Sequence, residues 1–219
     1  MNPGVGISTF ALRNEGVWKM NAIRRLKLLA PLAALSLAGC GLNSVPTAEE
    51  QVNAEFGNLQ AEYQRRNDLI GNLVETVKGA AGSEEQILTQ VTEARARATS
   101  VSLTPDQLDD PQAVRAYNEA QSGLSSARSL LGTMIVERYP QLQSQGRFAD
   151  LMVALEGTEN RIRTQRRDYN EAVRSYNTTI RTFPDAIGAK IFYGAKPKVP
   201  FEAAAGAQEA PTVDFNAAG

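Results

Sequence analysis

The stretch VNAEFGNLQAEYQRRNDLIGNLVETV, residues 52–77, decides the fold class. Its apolar side chains recur in alternating steps of four and three: Val52, Phe56, Leu59, Tyr63, then Ile70, Leu73 and Val77. That is a heptad seam, which specifies a helix packed along its length against others rather than a strand. The helix is expected over Thr47–Lys78, with Thr47 as N-cap and Glu49 and Glu50 at the positive end of its dipole. Gly79-Ala80-Ala81-Gly82 breaks it.

Working outward, three more helices are expected. Ser83 with Glu84 to Gln86 reads as a capping box. It starts a second helix whose apolar face is Ile87, Val91, Ala94, Ala98 and Val101. Thr104-Pro105 and Asp110-Pro111 make residues 102–111 a loop or short turn. Asp110 caps a third helix with Pro111 at its first position. Its seam is Ala113, Tyr117, Ala120, Leu124, Ala127, Leu131 and Met134, and Tyr139-Pro140 ends it. The fourth runs from Arg147 to Thr182 along Phe148, Leu151, Leu155, Thr158, Ile162, Tyr169, Ala172, Tyr176 and Phe183, and stops at Phe183-Pro184. The expected architecture is all-α, an antiparallel four-helix bundle over 47–183 with two long helices. Residues 184–204 are expected to pack on the bundle as a C-terminal extension. Residues 205–219, rich in Ala, Gly and Pro, are expected to be a disordered tail.

Upstream of the bundle, Arg24, Arg25 and Lys27 precede an apolar run from Leu28 to Leu37. A basic cluster before a short apolar segment is a signal peptide, here 1–39. A membrane-spanning helix needs about 20 apolar residues, more than this run supplies. The run ends Leu37-Ala38-Gly39-Cys40. That string resembles the bacterial lipobox, in which the cysteine thiol takes diacylglycerol and the preceding peptide is removed. Cys40 is therefore the expected lipidation site, with 40–46 as a short tether ending at Pro46. Residues 1–19 precede the basic cluster and make the signal unusually long, so Met20 is the expected start; a precursor peptide from 1–19 would contradict this. By resemblance to Gram-negative lipoproteins, Gly41 in place of Asp favours the outer membrane.

Composition narrows the chemistry. The 219 residues hold no histidine and one cysteine, which removes Ser-His-Asp and Cys-His catalysis, histidine metal sites and an internal disulfide. Basic and acidic residues number 23 and 24. Residues 1–39 carry five of the basic and one of the acidic, leaving 18 against 23, a net of −5. An acidic mature chain does not suit nucleic acid or anionic lipid at large, so membrane attachment is left to an anchor. No Gly-rich phosphate loop or Cys/His spacing is present, and no cofactor or metal is expected.

One residue violates the seam. Arg66 falls on a heptad position of the first helix. Either it snorkels to the surface along its methylene stem, or it is buried against a partner. With the ends of the first and fourth helices aligned, Arg66 faces the region near residue 164, with Glu159 just over a turn away. The expected polar network comprises Arg66, Asp68, Glu159, Arg161, Arg166, Tyr169 and Tyr176, each tyrosine followed by an asparagine. Its expected role is to hold register. Asp68 and Glu159 as an acid–base pair, for instance in glycan hydrolysis, is a catalytic reading; the arginines argue against it by holding both ionised.

The strings Tyr63–Ile70 and Asn72–Gly79, Glu137–Leu142, Glu159–Ile162, Arg166–Asn170, Tyr176-Asn177, Phe183-Pro184 and Phe201-Glu202 together resemble the LemA family over roughly residues 50–202. The resemblance implies a membrane-attached antiparallel helical bundle outside the cytoplasm, on the periplasmic side of the bacterial envelope. It implies no established enzymatic activity. Most members resemble single-pass proteins with an amino-terminal membrane helix, whereas this chain carries a lipobox. Gly71 stands where the family usually has a proline. The functions to weigh are an envelope scaffold for another membrane protein, as the family's association with membrane-protein partners implies, a bundle binding lipid or peptide, and, last, an enzyme.

Overall fold

A computed structural model describes residues 43–81 and 85–202. The signal peptide 1–39, Cys40, the Ser83 cap and the tail 205–219 lie outside the described residues. The fold is all-α, an antiparallel bundle of α1 (Ser44–Ala81), α2 (Glu85–Ser100), α3 (Pro111–Arg138) and α4 (Gly146–Thr179), followed by the single turn α5 (Asp185–Gly188). A 3-10 turn, Pro105–Gln107, joins α2 to α3, and another, Pro140–Ser144, joins α3 to α4. The two long helices α1 and α4 pack along most of their length, and α2 packs on α3 and α1.

The start of α1 precedes the expected Thr47. Asn43 supplies the first acceptor, taking both the backbone N–H and the hydroxyl of Thr47. Pro46 then falls in the first turn, where its missing N–H costs nothing. The third helix begins as expected: Asp110 is extended and accepts from the backbone N–H of Gln112, with Pro111 at the first helical position.

Every seam residue read on α1 is buried. On α2 Leu88 is buried where Ile87 was expected. On α3 the buried set is Val114, Tyr117, Gln121, Leu124, Ala127, Leu131, Met134 and Ile135, so Val114 and Gln121 replace Ala113 and Ala120. The expected seam favoured small apolar residues one position too early, and so passed over a polar side chain. On α4 Leu151 is half-buried, and Phe183 is not in the seam at all but 79% exposed. The helix ends at Thr179, and turns through 180–184 carry the chain off the helical path before Phe183 can reach the core.

The core has two apolar clusters stacked along the bundle. One holds Val52, Phe56, Leu59, Tyr63, Leu103, Leu108, Tyr117, Ile162, Tyr169, Tyr176 and Phe201. The other holds Ile70, Leu73, Val77, Val91, Leu124, Leu131, Ile135, Leu142, Phe148 and Leu155. Aromatic edges knit the first: Phe56 meets Tyr117, Tyr169 and Phe201 at centroid separations of 6.3, 5.9 and 6.5 Å, and Tyr169 meets Phe201 at 4.9 Å.

Burial raises the phenols of Tyr63, Tyr117 and Tyr169 above the ordinary tyrosine value and pushes Tyr176 up to about 12, helped there by Glu49 and Asp109. The neutral phenols favour the folded state, so the unfolded chain loses these protons first. Stability is therefore whole below about pH 10 and falls as pH rises toward the folded values, by about 1.4 kcal/mol per pH unit for each tyrosine. Far-UV circular dichroism against pH is expected to show cooperative alkaline unfolding, with tyrosinate absorbance appearing in the same step rather than ahead of it.

Candidate functional site

Between the two apolar clusters lies a polar layer, and Arg66 is its centre. The residue is 1% exposed and is the bulkiest of the fully buried side chains. Its position on the α1 seam points the stem inward, so snorkelling is not available to it. One terminal nitrogen, Nη1, donates to Ser125 Oγ at 2.7 Å. The other, Nη2, donates to Gln121 twice, to the side-chain Oε1 at 2.6 Å and the main-chain carbonyl at 3.1 Å. Gln121 Nε2 in turn donates to the carbonyl of Ala98 on α2 at 3.1 Å. Glu159 Oε1, on α4, lies 3.7 Å from Arg66 Nη1 and 3.6 Å from Arg128 Nε, an ion cluster rather than a hydrogen-bonded pair. The Arg66 guanidinium also sits 5.0 Å from the centre of the Tyr63 ring.

Three helices thus meet on one guanidinium, and Gln121 links the fourth, α2, to it through the Ala98 carbonyl. Burial pulls its pKa below the ordinary arginine value, while Glu159 and then Tyr63 and Tyr117 oppose the shift. An arginine so held stays charged, because its reference value is far above neutrality.

The other residues of the expected network lie elsewhere. Asp68 follows Arg66 by two residues, about 200° around the helix, and so faces solvent, where Gln64 donates to it. Arg161 turns to Glu62 on α1, its Nε 3.0 Å from both carboxylate oxygens. Arg166 donates to Asn118 Oδ1 and to the main-chain carbonyl of Glu202. Arg66–Glu159 and Glu62–Arg161 show that α1 and α4 are offset by about a turn and a half from the end-aligned register. That offset brings Glu159 to Arg66 and takes Arg166 away from it.

Tyr169 serves a second feature, a strap formed by residues 194–202, and the Tyr176 ring lies 5.9 Å from the strap's Lys198 Nζ. Gly194, at φ +56°, reverses the chain after the π-helical turn Ala189–Tyr193. The strap then runs back along α4. Asn177 holds Lys198 by both main-chain groups, Nδ2 to the carbonyl at 2.8 Å and the N–H to Oδ1 at 2.9 Å. Asn170, two turns earlier, holds Phe201 in the same way at 2.9 and 2.8 Å. Tyr169 donates its hydroxyl to the carbonyl of Val199, whose N–H reaches the carbonyl of Leu108. The two asparagines act as a substitute β-strand for an otherwise unpaired extended segment. Sequence reasoning noted that each tyrosine precedes an asparagine but gave the asparagines no role. Two Tyr-Asn pairs seven residues apart are the signal that leads to the strap.

A groove of about 400 Å³ opens beside the polar layer, lined among others by Gln60, Asn67, Thr99, Tyr63, Tyr117 and Gln121. The groove side chains that hydrogen-bond are largely tied off internally: Asn67 donates to Thr99, Gln60 to the carbonyl of Leu103, and Gln121 as above. Among the described residues no group of three His, Cys, Asp or Glu could hold a metal ion. No helix among them is long and apolar enough to cross a membrane.

The LemA family model matches residues 55–215, most of the chain. The chain belongs to the LemA family. The LemA match takes in Arg66, Gln121, Glu159, Asn170, Asn177 and Phe201, hence both features. Among curated relatives the chain is similar to magnetosome protein MamQ 2 of Paramagnetospirillum magneticum, 25% identical over 187 residues, 78% of this chain and 69% of the relative. It is also similar to magnetosome protein MamQ of Magnetospirillum gryphiswaldense, 28% identical over 181 residues, 75% of this chain and 65% of that one.

Removing one partner of a buried charge cluster costs about 3–5 kcal/mol. Arg66→Ala is expected to lose that much in urea unfolding followed by circular dichroism, and Arg66→Met, which fills the volume without a charge, clearly less. Asp68→Asn is expected to change stability by no more than about 0.5 kcal/mol, as an exposed position should. For the strap, Asn177→Ala leaves two main-chain groups of Lys198 without partners and is expected to cost about 1–3 kcal/mol.

Proposed function

We propose that this LemA-family protein is a non-catalytic, membrane-tethered scaffold of the bacterial envelope, held by a lipid on Cys40 with its bundle on the periplasmic side. One observation carries the reading. Ser44, four residues after Cys40, already belongs to α1, and its hydroxyl donates to Asp185 Oδ1 at 2.7 Å. Four residues reach at most about 14 Å, so an acyl chain on Cys40 holds the end of the bundle against the bilayer. More than one acyl chain makes such attachment stable, at about 0.8 kcal/mol per buried CH₂.

The non-catalytic part rests on how the interior charges are used. Glu159 lies between Arg66 and Arg128, Asp68 stands apart in solvent, and among the described residues no group of three His, Cys, Asp or Glu could hold a metal ion. The polar layer is a register device, and the exposed faces of α3 and α4 are left for a membrane or envelope protein partner. The family relationship supports a helical protein of the membrane by analogy only. A small-ligand reading is favoured by the groove beside Tyr63 and Tyr117. Native mass spectrometry of protein extracted from membranes separates the two: co-purified small molecules favour the groove, a stoichiometric protein partner the scaffold.

The tether has its own test. Cells fed labelled palmitate are expected to transfer label to the wild-type protein and none to Cys40→Ala, which should leave the membrane fraction. Label absent from the wild type would remove the anchor from this account.

A further inference from the structure

Exposed large apolar residues are few among the described part of the chain, and most of them are in one place. Phe183, Ile187, Ile191, Phe192 and Tyr193 are 79, 53, 69, 67 and 45% exposed. All lie in residues 183–193, on α5, the turn before it and the π-helical turn after it. The remaining ones, Leu130, Val136 and Val153, are scattered along α3 and α4. Single exposed apolar side chains are ordinary, whereas a contiguous group marks a contact surface.

The group is held, not loose. Gly188 and Ala189 are buried, and the N–H of Ala195 bonds the carbonyl of Ala189 to cap the turn. The same fixture that ties Ser44 to Asp185 places α5 beside the entry of α1. The knob of exposed rings and isoleucines therefore stands at the end of the bundle where residues 1–42 join it. Arg181 and Lys190, both exposed, flank the apolar side chains. Aromatic rings, aliphatic side chains and basic residues in one patch are the composition that settles at the headgroup boundary of a bilayer. The body as a whole is acidic, so attraction here is local and mainly apolar.

We propose that the 183–193 knob inserts its side chains into the bilayer surface, giving the bundle a second membrane contact that sets its tilt. The placement of the knob near lipid rests on the tether reading; insertion itself rests on the exposed side chains and their fixed position beside Ser44. The occupant is lipid, not a second copy or a protein groove, because the preceding sequence supplies a lipid anchor a few residues away.

Trp18, the chain's one tryptophan, lies in the expected signal peptide, so with Trp18→Phe as well a reporter can be placed at will whether or not that peptide is removed. The full chain, purified from cells and reconstituted in phosphatidylethanolamine–phosphatidylglycerol vesicles, would carry Phe192→Trp, Ile191→Trp or, as a distal control on α4, Val153→Trp. All three sites are exposed, so the fold should tolerate them. With brominated acyl chains, emission from the first two is expected to fall several-fold while that from the third is unchanged. Equal emission at all three sites would overturn the inference. So would Phe192→Trp shielded from bromine but crosslinked to a second copy. Quenching that persists without palmitate on Cys40 keeps the knob and discards the tether. Palmitate on Cys40 without quenching keeps the tether and discards the knob.

Discussion

A guanidinium cannot be left alone in a protein interior, and that constraint organises this bundle. Arg66 sits on the seam of the longest helix, so its charge enters the core whatever the neighbours are. Hydrocarbon around it would carry a desolvation cost of several kcal/mol. Gln121 and Ser125 of α3 and Glu159 of α4 meet that cost together, and Gln121 passes the connection to α2 through Ala98. Sliding any one helix by a turn would strand a charge or an amide, while purely apolar seams would tolerate the slip. Replacing such a layer with hydrocarbon can leave stability unchanged or raise it. On the proposal that the layer sets register, its contribution is a single alignment of the four helices.

The end of the bundle near Ser44 follows a different logic, main-chain accounting. An extended segment without a sheet has donors and acceptors that must go somewhere. Asn170 and Asn177 take two residues of the strap by both groups, and Tyr169 and Leu108 take a third. The strap then delivers Phe201 into the aromatic cluster against Phe56 and Tyr169. Lys198 and Lys196 pin its other side to Glu49 and Asp109 at 2.9 and 3.0 Å. Loss of the strap would open the core around Phe56, so residues 194–202 are structural in spite of their irregular backbone.

How much of this could be read from the sequence depends on periodicity. The α1 seam was legible residue by residue because strong apolar side chains fall on every heptad position but one. The exception, Arg66, was legible as an anomaly. Its partners were not, because heptads say which face is inward but not how far one helix is displaced along another. Only Glu159 of the expected network joins Arg66, and Gln121 and Ser125 were passed over. On α3 alanines and serines are so frequent that two adjacent seams fit the pattern, and choosing Ala120 hid Gln121. Phe183 was assigned to the seam by continuing the α4 period past Thr179, where turns had already ended it. The strap has no period at all; only the repeated Tyr-Asn pair records it.

Most of the polar interior is therefore taken up, although Arg66 Nε, Asn67 Oδ1, Arg128 Nε and Glu159 Oε1 are buried without a hydrogen-bond partner. The polar side chains of the central layer are engaged in aligning helices, and those of the strap in pairing main chain. A substrate entering the layer would have to compete with Gln121 for Arg66, or separate Glu159 from two arginines, at the expense of the register that keeps the bundle folded. The surface carries no such obligation. Exposed faces of α3 and α4 can change contacts without disturbing the seam, and the apolar side chains of 183–193 are exposed on a fixed turn. On the proposed scaffold role, specificity would lie on these outer faces rather than in the polar layer.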